Sequence, residues 1–160
     1  MKAIIIYFSS TGRTKKTAES IGNQLSKYEV DYFPFILKGH FGMKVSILSQ
    51  HTNGDFSTIT KELEDLEKLD QDYDLIILGM PTYGDFPPSA FYEIIKRLNL
   101  KGKNVVIFDT CSFTGVKTLE VMKKTVEEAG ANIINQARFK GLFRPKLRKA
   151  SQFGQIINES

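Results

Sequence analysis

What most constrains this chain is a set of short apolar runs that are not broken by alternating polar residues. Ala3-Ile4-Ile5-Ile6-Tyr7-Phe8, Leu75-Ile76-Ile77-Leu78 and Val105-Val106-Ile107-Phe108 are of this kind, and Ala131-Asn132-Ile133-Ile134 is a weaker fourth. A strand with one wet face alternates, whereas an unbroken run of this length suits a strand buried on both faces, as in a parallel sheet between helix layers. A fifth stretch, Tyr28 to Ile36, alternates less cleanly and carries Pro34, whose missing N–H suits an edge strand.

Helical patterns fill the intervals. Residues 13–27 place Ala18, Ile21 and Leu25 on one face, and residues 57–69 do the same with Ile59, Leu63, Leu66 and Leu69. Residues 88–98 supply Phe91, Ile94, Ile95 and Leu98 behind Pro88 in the first turn. Residues 116–129 supply Val116, Leu119, Met122, Val126 and Ala129, closed by Gly130. Strands alternating with helices predict βαβ units, hence a doubly wound α/β fold in three layers, with the 160 residues forming one domain. Two stretches lack a period. Residues 38–56 are long for a connection and could serve as a lid carrying Phe41, Met43 and Phe56. Residues 140–160 hold only sparse apolar positions (Leu142, Phe143, Leu147, Phe153, Ile156, Ile157) and read as a basic tail or an atypical last helix.

Composition narrows the function classes. No apolar run approaches the ~20 residues of a membrane span. The apolar start is short and no small-residue cleavage site follows it, so the expected location is cytoplasmic. The single cysteine, Cys111, precludes an internal disulfide, and no spacing suits zinc or an iron–sulfur centre. The net charge is +4, yet Arg138, Lys140, Arg144, Lys146, Arg148 and Lys149 fall within residues 138–149 without an acid among them. The rest of the chain is therefore slightly acidic, and the basic strip suits an acidic partner. Phe139 and Phe143 interleave with these charges, but so few cations without a motif make nucleic acid a poor expectation. The acidic series Glu62, Glu64, Asp65, Glu67 alternates with Leu63 and Leu66 and reads as a solvated helix face. His40 and His51 stand isolated and are assigned no catalytic role, and Cys111 reads as a packed thiol.

In an open parallel sheet, ligands bind beyond the carboxyl ends of the strands, so the residues that follow the apolar runs carry the chemistry. After the first comes Ser9-Ser10-Thr11-Gly12-Arg13-Thr14, opening a helix. Four hydroxyls, a glycine and a helix N-terminus suit a phosphate, with Arg13 adding charge if it points inward. The spacings G-x-x-x-x-G-K-[ST] and G-x-G-x-x-G are both missing here, which favours a terminal phosphomonoester over a nucleoside triphosphate or a dinucleotide. After the third strand comes Pro81-Thr82-Tyr83-Gly84-Asp85-Phe86, where Tyr83 and Phe86 offer aromatic faces to a planar ring. After the fourth comes Asp109-Thr110-Cys111-Ser112-Phe113-Thr114-Gly115, again small polar residues around one aromatic.

These three segments, Tyr7 to Thr14, Pro81 to Asp85 and Thr110 to Gly115, resemble the flavodoxin family over residues 1 to about 139. The resemblance implies a five-stranded sheet in the order 2-1-3-4-5 with FMN at the switch point. It implies that Ser9, Ser10, Thr11, Gly12, Arg13 and Thr14 hold the FMN phosphate and that Tyr83 and Phe113 flank the ring. Pro81, Thr82, Gly84, Asp85, Thr110, Cys111, Ser112 and Gly115 would complete the site. The Gly84 peptide would change its hydrogen bond to flavin N5 on reduction, a flip that glycine permits at little steric cost. The expected function is an FMN-binding electron carrier working with redox partner proteins. The alternative is an FMN-dependent NAD(P)H:quinone-type oxidoreductase of the same fold.

Overall fold

The computed structural model describes residues 1–36, 56–69, 72–113, 115–141 and 145–160. In chain order the elements are β1 (Lys2–Ser9), α1 (Arg13–Gly22), β2 (Glu29–Ile36), a 3-10 turn (Ser57–Ile59) leading into α2 (Thr60–Lys68), β3 (Leu75–Pro81), α3 (Ala90–Lys96), β4 (Asn104–Cys111), α4 (Val116–Glu128), β5 (Asn132–Lys140) and α5 (Leu147–Glu159). The strands form a parallel sheet in the order β2-β1-β3-β4-β5, the doubly wound arrangement expected from the sequence.

Each central strand divides its side chains between two dry faces, which is why its sequence shows no alternation. From β1, Ile4, Ile6 and Phe8 enter a core that they share with Leu63 and Leu66 of α2, Phe91 and Ile94 of α3 and Met122 and Val126 of α4. Ala3, Ile5 and Tyr7 face the other way, onto Ala18 and Ile21 of α1 and Ala150, Phe153 and Ile157 of α5. Phe56, expected on a lid, packs against the first of these cores instead. The remainder of the proposed lid, with His40 and His51, lies outside the described residues.

One sheet edge differs from the sequence expectation. β2 is an edge strand, as Pro34 suggested, but β5 runs on to Lys140 instead of ending at Ile134. A register shift against Val105 and Val106 leaves Ile134 exposed and keeps Phe139 inward. Arg138 and Lys140 are therefore strand residues, not part of a tail. The Phe139 ring lies edge-on to Phe108 and Phe153, with 5.9 Å between centroids in each pair, so it is core and not a nucleic-acid platform.

The last segment is a regular helix, α5, lying on α1. Gly154 permits the close approach, because a Cβ there would sit 2.5 Å from the Ile21 carbonyl oxygen. Polar bonds do the rest. The Ser20 hydroxyl donates to the Leu147 carbonyl (3.0 Å), and the Lys27 amide donates to Asn158 Oδ1 (2.9 Å). No helix among the described residues is long and apolar enough to cross a membrane.

Candidate functional site

β1 and β3 lie side by side, yet the chain leaves β1 towards β2 and leaves β3 towards β4. Their carboxyl ends therefore open a crevice between diverging connections. A cleft of about 190 Å³ occupies it, lined by Ser10, Thr11, Arg13 and Thr14, by Pro81, Thr82 and Tyr83, and by Thr110, Cys111 and Ser112. All three segments singled out in the sequence meet there.

The turn before α1 is built on Gly12, whose φ of 85° lies in the left-handed region and forms the helix N-cap without a side-chain cap. Ser9 supplies what the cap lacks. Its buried Oγ accepts the Gly12 amide at 3.1 Å, so it shapes the turn from below and does not line the cleft. Ser10 and Tyr83 share a hydrogen bond of 2.5 Å between hydroxyls, joining the first loop to the second. Thr14 and Thr110 share another of 2.8 Å, joining α1 to β4.

Arg13 does more than face a ligand. Its guanidinium donates to Ser112 Oγ and to the Cys111 carbonyl, each at 2.9 Å, and to the Gly141 carbonyl beyond β5. Arg13 therefore ties the first loop to the third and to the entry of the last segment. Its Nε–H is buried and has no partner.

The second loop is a two-residue turn in which Tyr83 and Phe86 exchange backbone hydrogen bonds of 2.8 and 3.1 Å. Gly84 (φ 56°) and Asp85 (φ 70°) are both left-handed, the geometry of a type I′ turn. They form its tip and do not line the cleft. Phe86 turns to Lys117, whose Nζ lies 5.5 Å from the ring centroid, so Tyr83 alone of the two aromatics lines the cleft. Phe113 stands 69% exposed in the third loop, while Thr114 lies outside the described residues. Gly115 backs the site from the start of α4.

Burial dominates the electrostatics. It pushes the Tyr83 phenol above its ordinary pKa, opposed by the Ser10 hydrogen bond and the Arg13 charge. The Cys111 thiol is also raised, by burial and then by the charge of Asp109. That fits a packed thiol better than a nucleophile. Asp109 itself is fully buried behind the cleft and pushed up to about 6 by desolvation. Asp109 heads the third segment and Arg138 the basic strip, and what the sequence leaves out is their pairing, which follows once β5 is carried to Lys140.

A family profile described as NADPH-dependent FMN reductase matches residues 1–140. The chain belongs to this family. It is also similar to a flavodoxin from Maridesulfovibrio salexigens, at 26% identity over 149 residues, covering 85% of this chain and 83% of that protein. Among solved structures, flavodoxin 1 from Bacillus cereus superposes with a TM-score of 0.65 at 22% identity, covering 100% of this chain and 99% of that one. A flavoprotein from Lactobacillus acidophilus NCFM in complex with FMN gives a TM-score of 0.56 at 22% identity, covering 86% and 92%. These structures share the fold.

The donors present fit FMN. A buried N–H without a partner on Arg13, the hydroxyls of Ser10, Thr11 and Thr14 on the cleft wall, and the amides of the first α1 turn offer one anion several hydrogen bonds. Open space surrounds the Cα of Gly12, which leaves room for a close approach.

Proposed function

We propose that this chain is an electron-transfer flavoprotein that holds FMN at the carboxyl ends of β1, β3 and β4 and exchanges electrons with a protein partner. The observation that carries this reading is the convergence of the hydroxyl-bearing turn, Tyr83 and residues 110–112 on one cleft. FMN, when bound, supplies one- and two-electron chemistry, and the protein's task is to bind, orient and tune it. Ser10, Thr11, Thr14 and Arg13 Nε–H grip the phosphate, with Ser9 and Gly12 setting the turn. Tyr83 and Phe113 flank the ring, the first as a neutral phenol because burial raises its pKa. Pro81, Thr82, Gly84 and Asp85 shape one side, and Thr110, Cys111, Ser112 and Gly115 the other. A half-buried, aromatic-walled ring site disfavours extra negative charge on the cofactor and so lowers its potential.

The partner in this reading carries an acidic surface. Lys140, Lys146, Arg148 and Lys149 are exposed at the end of β5 and the start of α5, on the side of the sheet edge that bears the cleft. The second reading, an FMN-dependent NAD(P)H:quinone-type oxidoreductase, is favoured by the family match over residues 1–140. Anaerobic NADH or NADPH oxidation by the FMN-loaded protein with a quinone acceptor separates the two. A carrier oxidises either nucleotide no faster than free FMN does, whereas turnover of about 1 per second or more establishes the reductase.

A further inference from the structure

Behind the cleft, a half-buried ion pair reaches both loops that flank the ring, and nothing in the reading above uses it. Asp109, on β4, is fully buried, and its register partner on β5 is Arg138. Asp109 Oδ2 lies 3.3 Å from Arg138 Nε and accepts the Thr82 hydroxyl at 3.1 Å. Thr82 directly precedes Tyr83, and its Oγ1 is also 2.9 Å from Thr118 Oγ1 on α4. The far end of Arg138 donates to the Gly115 carbonyl at 2.6 Å and to the Val116 carbonyl at 3.3 Å, two and three residues beyond Phe113. Close approach is possible because residue 115 is glycine, where a Cβ would lie 2.6 Å from Asp109 Oδ2.

We propose that Asp109 and Arg138 form a positioning pair that fixes the separation of the two ring-flanking loops, so that FMN affinity depends on the charge Asp109 carries. The proposal rests on the FMN reading given above. Asp109 Oδ1 is buried with no partner, an arrangement that leaves the carboxylate incompletely satisfied. Burial accordingly pushes the carboxyl up to about 6 despite the Arg138 charge and the Thr82 bond. The groups facing it are Arg138 from β5, the Cys111 thiol on its own strand, and the hydroxyls of Thr82 and Thr118, which do not titrate in this range.

When Asp109 is ionised, its Oδ2 accepts the Thr82 hydroxyl, and Arg138 is held by charge at one end and by two carbonyls at the other. Protonation of Asp109 removes the ion pair and releases the tie between loops. The ionised form is thus the one competent to clamp the ring, and by linkage FMN binding favours loss of the proton.

The test is FMN affinity by fluorescence quenching between pH 5 and pH 8, for the wild type and Asp109→Asn. The FMN phosphate itself titrates near pH 6, so the ratio of the two dissociation constants is the quantity that isolates Asp109. We expect Asp109→Asn to bind about tenfold more weakly at pH 8 and within about twofold of the wild type at pH 5. A ratio that does not change with pH overturns the proposal and leaves the FMN reading intact. Arg138→Lys keeps the charge but cannot span both loops, and it provides a second variant. Combined with Asp109→Asn it should weaken binding no further than the worse single change, whereas additive losses contradict a shared role. A wild-type protein that binds no FMN overturns both readings.

Discussion

Asp85 is the only non-glycine residue with positive φ among the described residues, and with Gly84 it places two left-handed residues in succession beside Tyr83. Left-handed backbone costs a β-carbon-bearing residue roughly 1–2 kcal/mol, which Asp tolerates better than most. Gly84→Ala should therefore lower stability by about 1–2 kcal/mol in urea unfolding. Asp109 gives a second residue-scale prediction. Its folded pKa of about 6 exceeds the ordinary carboxyl value of 3.8, so the folded state binds more protons between those limits. The group's contribution to stability is thus greatest at acid pH and is lost as pH rises through about 4 to 6. The wild type should lose up to about 3 kcal/mol relative to Asp109→Asn across that window. Urea unfolding of both proteins at pH 4 and pH 7 measures the difference. The hydroxyl-rich turn and Tyr83 were legible in sequence because hydroxyls ahead of a helix have a local meaning. The double use of Arg13 and the Asp109–Arg138 pair were not, since each depends on residues brought together across the sheet.

Among the elements, β1, β3 and β4 were legible because both their faces are dry and hydrophobicity alone marks them. β5 is half-covered, with exposed and half-buried residues alternating over most of its length and Asn, Gln, Arg and Lys among them, so only its first residues stood out. α5 was obscured differently. Its inward stripe is Ala150, Phe153 and Ile157 with Gly154, a narrow face whose smallest members carry little hydrophobic signal. Serine, asparagine and glutamine side chains complete the contact with α1 and the turn that follows it, which no apolar period records. Filling the space at Gly154 should separate the helices. Gly154→Ala should cost about 1–3 kcal/mol, read as a lowered urea midpoint with the slope unchanged.

For the molecule as a whole, charge is distributed by face. Glu62, Glu64, Asp65 and Glu67 belong to α2, whereas Lys146, Arg148 and Lys149 open α5 on the opposite face of the sheet. Under the proposed function, such a separation would orient an acidic partner before contact. Replacing Lys146, Arg148 and Lys149 together with glutamine should slow electron transfer to an acidic partner about tenfold or more at low salt. The effect should shrink near 0.15 M salt, where the screening length is about 8 Å, with FMN affinity unchanged. Stopped-flow rates at two ionic strengths read this directly, and equal rates for both proteins at low salt rule the docking surface out. The account as a whole depends on the cofactor, and its most direct test is titration of the flavin-free protein with FMN, followed by quenching of flavin fluorescence. The account predicts saturable one-to-one binding at micromolar concentration or tighter, weakened when Arg13 or Tyr83 is replaced by alanine. Fluorescence that falls no further than dilution requires, with FMN at tens of micromolar, would contradict it.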